Sequence, residues 1–213
     1  MKNLNHTFDL KNKLYLAVLA LALVAVFVAP SHADGLILRG GMNFANAETD
    51  PEIDEDNQEF RPGFNAAVLG EVGDGPLRLL LGAGYENRGL RIKGGGNSGD
   101  VRLNYVTVPV MLQLGTAGGT SPMPRVFVNL GVEPAFLVQS DVALDNFTFD
   151  IDAEEFDFGL RGEAGIEIPI SPTAGIVLGA GYSQSVTDAA KDDDTEWYNR
   201  AFHLFAGVKL GMF

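Results

Sequence analysis

The feature that most constrains the fold is an alternation of apolar and polar residues through most of residues 34–213. It is clearest in residues 156–170, where apolar side chains share one parity and polar side chains the other. Period-2 alternation places successive side chains on opposite faces of a β-strand. No window of comparable length keeps the 3.6-residue period of an amphipathic helix. The sequence therefore predicts an all-β protein whose strands each have one apolar face.

Eight segments carry this pattern. They are residues 36–44, 64–72, 77–87, 103–114, 126–138, 156–170, 176–182 and 202–212. Four long and mostly acidic connections alternate with three shorter turns rich in Gly and Pro. The long connections are residues 45–61, 88–102, 140–155 and 187–199, and the turns are 73–76, 115–124 and 171–175. This alternation predicts an eight-stranded antiparallel up-and-down β-barrel with its long loops at one end.

Alternation alone does not decide whether the apolar face lies inside a soluble barrel or outside, in lipid. In seven of the eight segments the apolar face carries an aromatic residue near the long-loop end, which favours the girdle of a membrane barrel. These residues are Phe44, Phe64, Tyr85, Phe136, Phe156, Tyr182 and Phe202. The polar face is rich in Gly, which suits a crowded interior. We therefore predict a transmembrane β-barrel with its termini in the periplasm and its four long loops outside the cell.

The polar face also carries charges of both signs, in contrast to the acidic loops. Its charged residues are Arg39, Glu71, Arg78, Glu86, Glu133, Arg161, Glu163, Glu167 and Lys209. Because an unpaired ion in a desolvated interior is costly, these residues are predicted to form a charge network in the lumen. We expect Arg161 to pair with Glu163 on its own strand and with Glu133 on the preceding one. An eight-stranded barrel is just narrow enough for side chains to fill it.

The N-terminal segment has the parts of a secretory signal peptide. Lysines precede an apolar run over residues 15–29, and Ser31-His32-Ala33 supplies small residues at the cleavage site. We predict a signal peptide over residues 1–33, cleavage between Ala33 and Asp34, and an outer-membrane barrel domain over residues 34–213. The alternative is an uncleaved anchor, although the run is shorter than the roughly 20 residues that span a bilayer.

Composition narrows the chemistry. The chain has no Cys, so neither disulfides nor thiolate metal sites are expected. His203 is the one histidine after residue 33, and we interpret it as a lumen residue near a carboxylate, since a metal site needs three or four ligands. We expect no catalytic residues, cofactor or metal. The net charge is −13, and residues 1–33 contribute +2, so the remainder carries −15, which disfavours nucleic acid.

Four short motifs are familiar. They are LRGGMNF at residues 38–44, LNY at 103–105 with Pro109, FDFGL at 156–160 with Gly165 and Glu167, and GY at 181–182 with Thr187 and Asp188. Together they resemble strands of the small outer-membrane β-barrel domain family that includes the PorT-like proteins, often labelled "porin family". The resemblance implies the fold and an outer-membrane location. Chains of this family usually end in an aromatic residue of lipid-facing parity, whereas Phe213 shares the parity of His203 and Lys209.

These observations favour a structural or surface-interaction protein over an enzyme. A narrow porin-like channel for small solutes is the alternative. A lipid-modifying enzyme fits less well, because it needs a Ser/His pair exposed to lipid and His203 has the opposite parity. Expected partners are outer-membrane lipid and lipopolysaccharide, the barrel-assembly machinery, and divalent cations held weakly at acidic loops such as residues 192–194. We expect a monomer.

Overall fold

The computed structural model describes most of the chain after the predicted signal peptide. The described residues are 34–50, 58–73, 75–94, 97–116, 123–144, 147–150, 153–190 and 196–211. None of them belongs to a helix long and apolar enough to cross a membrane. The predicted signal peptide with Ala33, the acidic residues 192–194 and the terminal Phe213 lie outside the described residues, so these predictions stay predictions.

The described residues form eleven β-strands in one sheet, and every strand pair is antiparallel. The strands are β1 (Gly35–Asp50), β2 (Gln58–Glu59), β3 (Arg61–Val72), β4 (Leu77–Gly94), β5 (Asn97–Thr107), β6 (Val110–Gly115), β7 (Arg125–Leu144), β8 (Phe147–Asp150), β9 (Phe156–Ser171), β10 (Ala174–Ser185) and β11 (Glu196–Gly211).

The sheet closes on itself, because β1 pairs with β3 on one side and with β11 on the other. β5 and β6 form one wall segment interrupted at Pro109, which has no N–H for the strand ladder. β2 pairs with β4 beside β3, and β8 folds back onto β7. The wall thus has eight segments, and the predicted eight-stranded antiparallel barrel is confirmed.

Two faces of the wall are as different as the alternation predicts. The apolar side chains that point outward are exposed, with Leu130 at 65% and Ile170 at 63% of their full accessibility. Phe44, Phe202 and Tyr182 lie side by side in the strand register, and the rings of Tyr182 and Phe202 are 5.0 Å apart between centroids. Ring pairs also form between Phe64 and Tyr85 and between Phe136 and Phe156. These seven residues form the aromatic girdle on the outside of the barrel.

Past the girdle the strands continue much further than predicted. The interpretation of residues 88–102 as a loop is wrong, because β4 and β5 pair from Gly84 and Thr107 up to Gly94 and Asn97. β1, β7 and β11 also extend into the predicted loops 45–61, 140–155 and 187–199. The sequence prediction ended the strands too early because the outward side chains become polar in this region. The alternation of apolar outward and polar inward residues stops there, but the strands continue.

Candidate functional site in the barrel interior

The interior is filled by side chains in four layers, which can be followed along the inward positions of β7. They begin with Arg125 at the short-turn end and continue through Phe127 and Glu133 to Leu137 towards the long loops. All four side chains are buried. The lumen therefore alternates between charged and apolar layers, which differs from the uniformly charged interior expected from the sequence.

The first layer is the turn-end cluster, made of Glu71, Arg78, Arg125, Glu167 and Lys209. The Nζ of Lys209 lies 2.7 Å from Oε1 of Glu71 and 3.0 Å from Oε1 of Glu167. Arg78 donates to the same Oε1 of Glu71 at 2.6 Å. Arg125 reaches Oε2 of Glu167 at 3.5 Å. Two carboxylates thus join three cations at the end of the lumen nearest the short turns.

The second layer is apolar, and we call it the turn-side apolar layer. It consists of Ile37, Leu69, Leu80, Met111, Phe127, Val177 and Phe205. Inward glycines make room for its two rings: a Cβ added at Gly165 would lie 2.5 Å from Cζ of Phe127, and one at Gly179 would overlap the ring of Phe205. The glycines of the polar face therefore accept large neighbours rather than line an open channel.

The third layer is the mid-barrel cluster, and Arg161 lies at its centre. Arg161 donates from Nε to Oε1 of Glu163 at 2.7 Å and from Nη1 to Oε2 of Glu133 at 2.7 Å. Its Nη1 also lies 3.3 Å from Oε2 of Glu86. Arg39 binds both oxygens of Glu163, at 2.7 and 2.8 Å. Arg161 thus contacts the two carboxylates that its position in the sequence suggested, and a third.

Arg88 and Asp157 complete the mid-barrel cluster. Arg88 donates to Oε1 of Glu133 at 2.6 Å and to Oδ2 of Asp157 at 2.8 Å. Asp157 also accepts hydrogen bonds from Ser185, Thr187 and Asn199 at 2.7, 2.9 and 3.1 Å. A continuous chain of ion pairs then crosses the lumen from β1 to β4 and β9. Its members, in order, are Arg39, Glu163, Arg161, Glu133, Arg88 and Asp157.

The fourth layer, the loop-side apolar layer, closes the lumen towards the long loops. It consists of Ala47, Leu90, Val101, Leu103, Tyr105, Ala135 and Leu137. The guanidinium of Arg88 lies over the ring of Tyr105 at 5.1 Å, and that of Arg39 lies over Phe205 in the other apolar layer at 4.5 Å. Arginines stack favourably on aromatic faces. The mid-barrel cluster is therefore packed against an apolar layer on each side.

His203 lies beside the mid-barrel cluster. Its Nε2 is 2.8 Å from Oγ of Ser183, and its Nδ1 is 3.7 Å from Oε1 of Glu86. The order Ser–His–Glu is that of a hydrolytic triad, but all three side chains are buried inside the barrel wall, where a substrate has no access. Among the residues that the structure describes, no group of His, Cys, Asp or Glu is arranged to hold a metal ion.

The structure places all nine residues suggested by the sequence inside the barrel, in two clusters instead of one network. Arg39, Glu86, Glu133, Arg161 and Glu163 belong to the mid-barrel cluster, and Glu71, Arg78, Glu167 and Lys209 to the turn-end cluster. Sequence reasoning missed Arg88, Arg125 and Asp157. Within the described chain the two clusters hold six cations and six carboxylates, so that the charges balance.

Comparison with known proteins gives one family and several structures. Residues 35–191 match the model of a family described as outer membrane protein beta-barrel domain. The crystal structure of Neisserial surface protein A is 16% identical, covers 83% of this chain and 97% of that chain, and has a TM-score of 0.48. The crystal structure of Ail, the attachment invasion locus protein of Yersinia pestis, is 15% identical in sequence and has a TM-score of 0.44. The match covers 84% of this chain and 99% of the Ail chain. No curated protein matches the chain.

Proposed function

The chain belongs to the outer membrane protein β-barrel domain family, and from this premise we propose that it is a closed barrel with a structural or surface-interaction role. Its family places it in the outer membrane. The proposal assigns the lumen to stability and leaves contact with partners to the outer wall and the loop end. The two alternative functions are a solute channel and a lipid-modifying enzyme.

The mid-barrel cluster is the observation that carries the proposal. Its ion-pair chain reaches across the lumen and lies between two apolar layers. A solute that passed would have to separate these pairs, and an unpaired buried ion costs several kcal/mol. It would also have to cross two apolar layers, and apolar constrictions close pores by excluding water. Both features favour a closed lumen.

The proposal also assigns no catalytic role to the Ser183–His203–Glu86 arrangement. Ser183 is only 4% exposed and points into the packed interior, whereas an enzyme that modifies lipids needs its nucleophile on the lipid side. We expect a fluorophosphonate probe, which labels activated serines, to leave the purified protein unlabelled. Labelling that is lost in Ser183→Ala would restore the enzyme hypothesis.

The partners proposed from the sequence remain lipid, lipopolysaccharide, the barrel-assembly machinery and weakly held divalent cations. Two carboxylates at the loop end have cationic neighbours: Glu59 lies 2.5 Å from Lys93, and Asp141 lies 4.0 Å from Arg102. Such pairing supports weak, salt-sensitive cation binding instead of a fixed cage. The protein is proposed to act as a monomer.

A conductance measurement tests the closed lumen. The protein extracted from the outer membrane is added to a planar bilayer, and we expect no steady channel from the wild type. Arg161→Ser removes the central cation of the mid-barrel cluster and is expected to give transient openings. Arg91→Ser, on the outer face, is the matched control and should stay silent. Stable channels of about a nanosiemens from the wild type would replace the proposal with the porin-like alternative.

A further inference from the structure

The mid-barrel cluster has more carboxylates than arginines, and His203 lies beside it. We infer that this site binds one proton, which Glu86 and His203 share at neutral pH. The inference rests on the closed lumen of the proposed function, because a surplus charge is costly only in an interior that excludes water. The cluster then holds a ligand in addition to its ion pairs.

The charges of the lumen balance as a whole but not within each cluster. The mid-barrel cluster has four carboxylates and three guanidinium groups, which belong to Glu86, Glu133, Asp157, Glu163, Arg39, Arg88 and Arg161. The turn-end cluster has two carboxylates and three cations. The turn-side apolar layer lies between the two clusters, so the surplus cation of one does not contact the surplus carboxylate of the other. The mid-barrel cluster therefore needs one more positive charge.

Glu86 is the carboxylate that the arginines bind least. The other three carboxylates of the cluster each accept at least one hydrogen bond of 2.8 Å or less from a guanidinium. The shortest contact of Glu86 with a guanidinium is 3.3 Å, from its Oε2 to Nη1 of Arg161. Its Oε1 lies 3.5 Å from Nε of Arg88 but accepts no hydrogen bond in the described part of the chain. The surplus negative charge is therefore that of Glu86.

The imidazole of His203 faces this carboxylate. Nδ1 of His203 lies 3.7 Å from Oε1 of Glu86, and both atoms are buried without a hydrogen-bond partner among the residues that the structure describes. A shift of about 0.5 Å brings them to hydrogen-bond distance. On the other side of the ring, Nε2 lies 2.8 Å from Oγ of Ser183, which can accept a hydrogen bond from it. A proton between Nδ1 and Oε1 thus gives both buried atoms a partner.

The other groups around His203 also suit one additional positive charge. The neighbouring charges from β4, β7 and β9 are those of Arg88, Glu133, Arg161 and Glu163. The register partners of His203 on β1 and β10 are Asn43 and Gly181, which are uncharged. Together with Glu86, three carboxylates and two guanidinium groups surround the imidazole. Strongly coupled groups take up a proton as a pair, so the proton belongs to neither residue alone.

A proton suits this site better than a metal cation. Hard cations such as Ca²⁺ and Mg²⁺ take about six oxygen ligands. Oε1 of Glu86 instead faces two nitrogen atoms, Nε of Arg88 and Nδ1 of His203. The guanidinium of Arg88 would also repel a metal cation placed beside Oε1.

The pH dependence of the unfolding equilibrium tests the inference. The full protein is unfolded with urea in lipid vesicles at about pH 7 and at about pH 8, where a free histidine has already lost its second proton. The folded barrel keeps the proton in this range and the unfolded chain does not, so the barrel loses stability as the pH rises. We expect the equilibrium constant for unfolding of the wild type to increase about five- to tenfold between the two pH values.

Glu86→Gln removes the surplus charge and should reduce this increase to less than about twofold. Glu196→Gln alters an exposed carboxylate on the same strand as His203, so it is the matched control and should keep the full increase. No increase in the wild type, an increase that persists in Glu86→Gln, or one that Glu196→Gln also abolishes would each overturn the inference. The same holds for wild-type stability that falls when choline replaces sodium but is insensitive to this change in Glu86→Gln, because a metal cation then fills the site.

Nitrogen-15 NMR of the histidine ring tests the same claim on the wild type, without a variant that has to fold. At about pH 7.5, an exposed histidine carries hydrogen on one ring nitrogen. We expect Nε2 of His203 to carry hydrogen and Nδ1 to carry or accept the shared one, and His203→Gln identifies the signal. An Nε2 without hydrogen, or an Nδ1 that neither carries nor accepts one, would contradict the shared proton.

The conductance measurement keeps this inference separate from the proposed function. A silent wild-type barrel whose unfolding equilibrium does not change with pH would contradict the proton site alone. A barrel that conducts steadily but still shows the increase would contradict the closed lumen and leave the proton site standing.

Discussion

The barrel wall has opposite chemistry on the two sides of the aromatic girdle. Towards the short turns, Leu130 and Leu160 point outward and are exposed, while Arg161 is buried inside. Towards the long loops, Leu90 and Val101 are buried inside, while Arg91 and Asp100 form a pair on the outer face. The comparison teaches that the surroundings of the wall determine the chemistry of its outward side chains. They are apolar below the girdle, where the wall meets lipid, and polar above it, where the wall meets water.

A single strand shows the change without any shift in its parity. In β4 the even-numbered residues face inward throughout, from Arg78 and Glu86 to Leu90. The outward positions change from Leu79 and Tyr85 to Arg91 as the strand passes the girdle. The backbone runs without a break from Tyr85 to Gly94, about 30 Å at the usual rise of a strand. The change therefore lies in the environment of the outer face and not in the direction of the side chains.

The largest loss in the free energy of unfolding is expected when the central arginine of the mid-barrel cluster is removed. Arg161→Ala leaves Glu163, Glu133 and Glu86 without their shared cation, and breaking a buried pair from one side costs about 3–5 kcal/mol. Arg91→Ala, on the water-facing wall, should cost at most about 1 kcal/mol. Urea unfolding in lipid vesicles measures both free energies. Equal losses for the two variants would mean that the lumen is hydrated and the charges are not buried.

The second largest loss in the free energy of unfolding is expected when a charge is placed on the lipid-facing outer wall. Leu130→Arg puts a guanidinium into the lipid-facing part of β7, which costs about 2–4 kcal/mol near the middle of a bilayer. Asn104→Arg puts the same group on the outer face of β5 past the girdle, where the loss of the hydrogen bonds with Asn87 and Gln139 should cost only about 1 kcal/mol. Unfolding measurements in the same vesicles compare them. A well-tolerated Leu130→Arg would contradict the assignment of that wall to lipid.

The smallest effect concerns the Arg91–Asp100 pair. The hydrogen bond from Arg91 holds the pKa of Asp100 below its ordinary value, so the pair stabilises the fold above about pH 4 and loses its contribution as the pH falls through the lowered pKa. Because both side chains are partly exposed, this contribution is below about 1 kcal/mol. Asp100→Asn and Arg91→Gln should each differ from the wild type at pH 7 and converge with it near pH 2, about two units below the usual pKa. A difference that persists in acid would show that another contact is lost.

The sequence predicts the part of the barrel that lies in lipid much better than the part beyond it. Below the girdle the outward side chains, such as Leu130, are apolar, and the predicted strands agree with the structure. Beyond it the outward side chains are polar, so Leu90 and Arg91 continue a strand that the predicted segment ends at residue 87. For this reason the alternation places Arg88 in a loop and leaves it out of the predicted network.

The interior layers could not be predicted from parity alone. Phe127, Met111 and Phe205 occupy inward positions, yet in the sequence they look like interruptions of the polar face. Only the closed sheet shows that they lie at one height and contact each other. The alternation over residues 156–170 places Asp157 on the polar face, but its contact with Arg88 depends on how β4 and β9 meet across the lumen. Parity identifies the face of a residue, and the shear of the barrel decides its neighbours.

The most direct test of the central claim is a nitroxide scan along β4 in reconstituted bilayers. Single spin labels at the outward positions Leu79, Leu81, Ala83, Tyr85, Arg91 and Lys93 report contact with oxygen, which concentrates in lipid, or with a water-soluble nickel complex. We predict contact with oxygen from Leu79 to Tyr85 and with nickel at Arg91 and Lys93. Labels at the inward positions Leu80 and Leu90 should be shielded from both. Nickel contact at every outward position, or at Leu80 inside the lumen, would contradict a lipid-embedded and closed barrel.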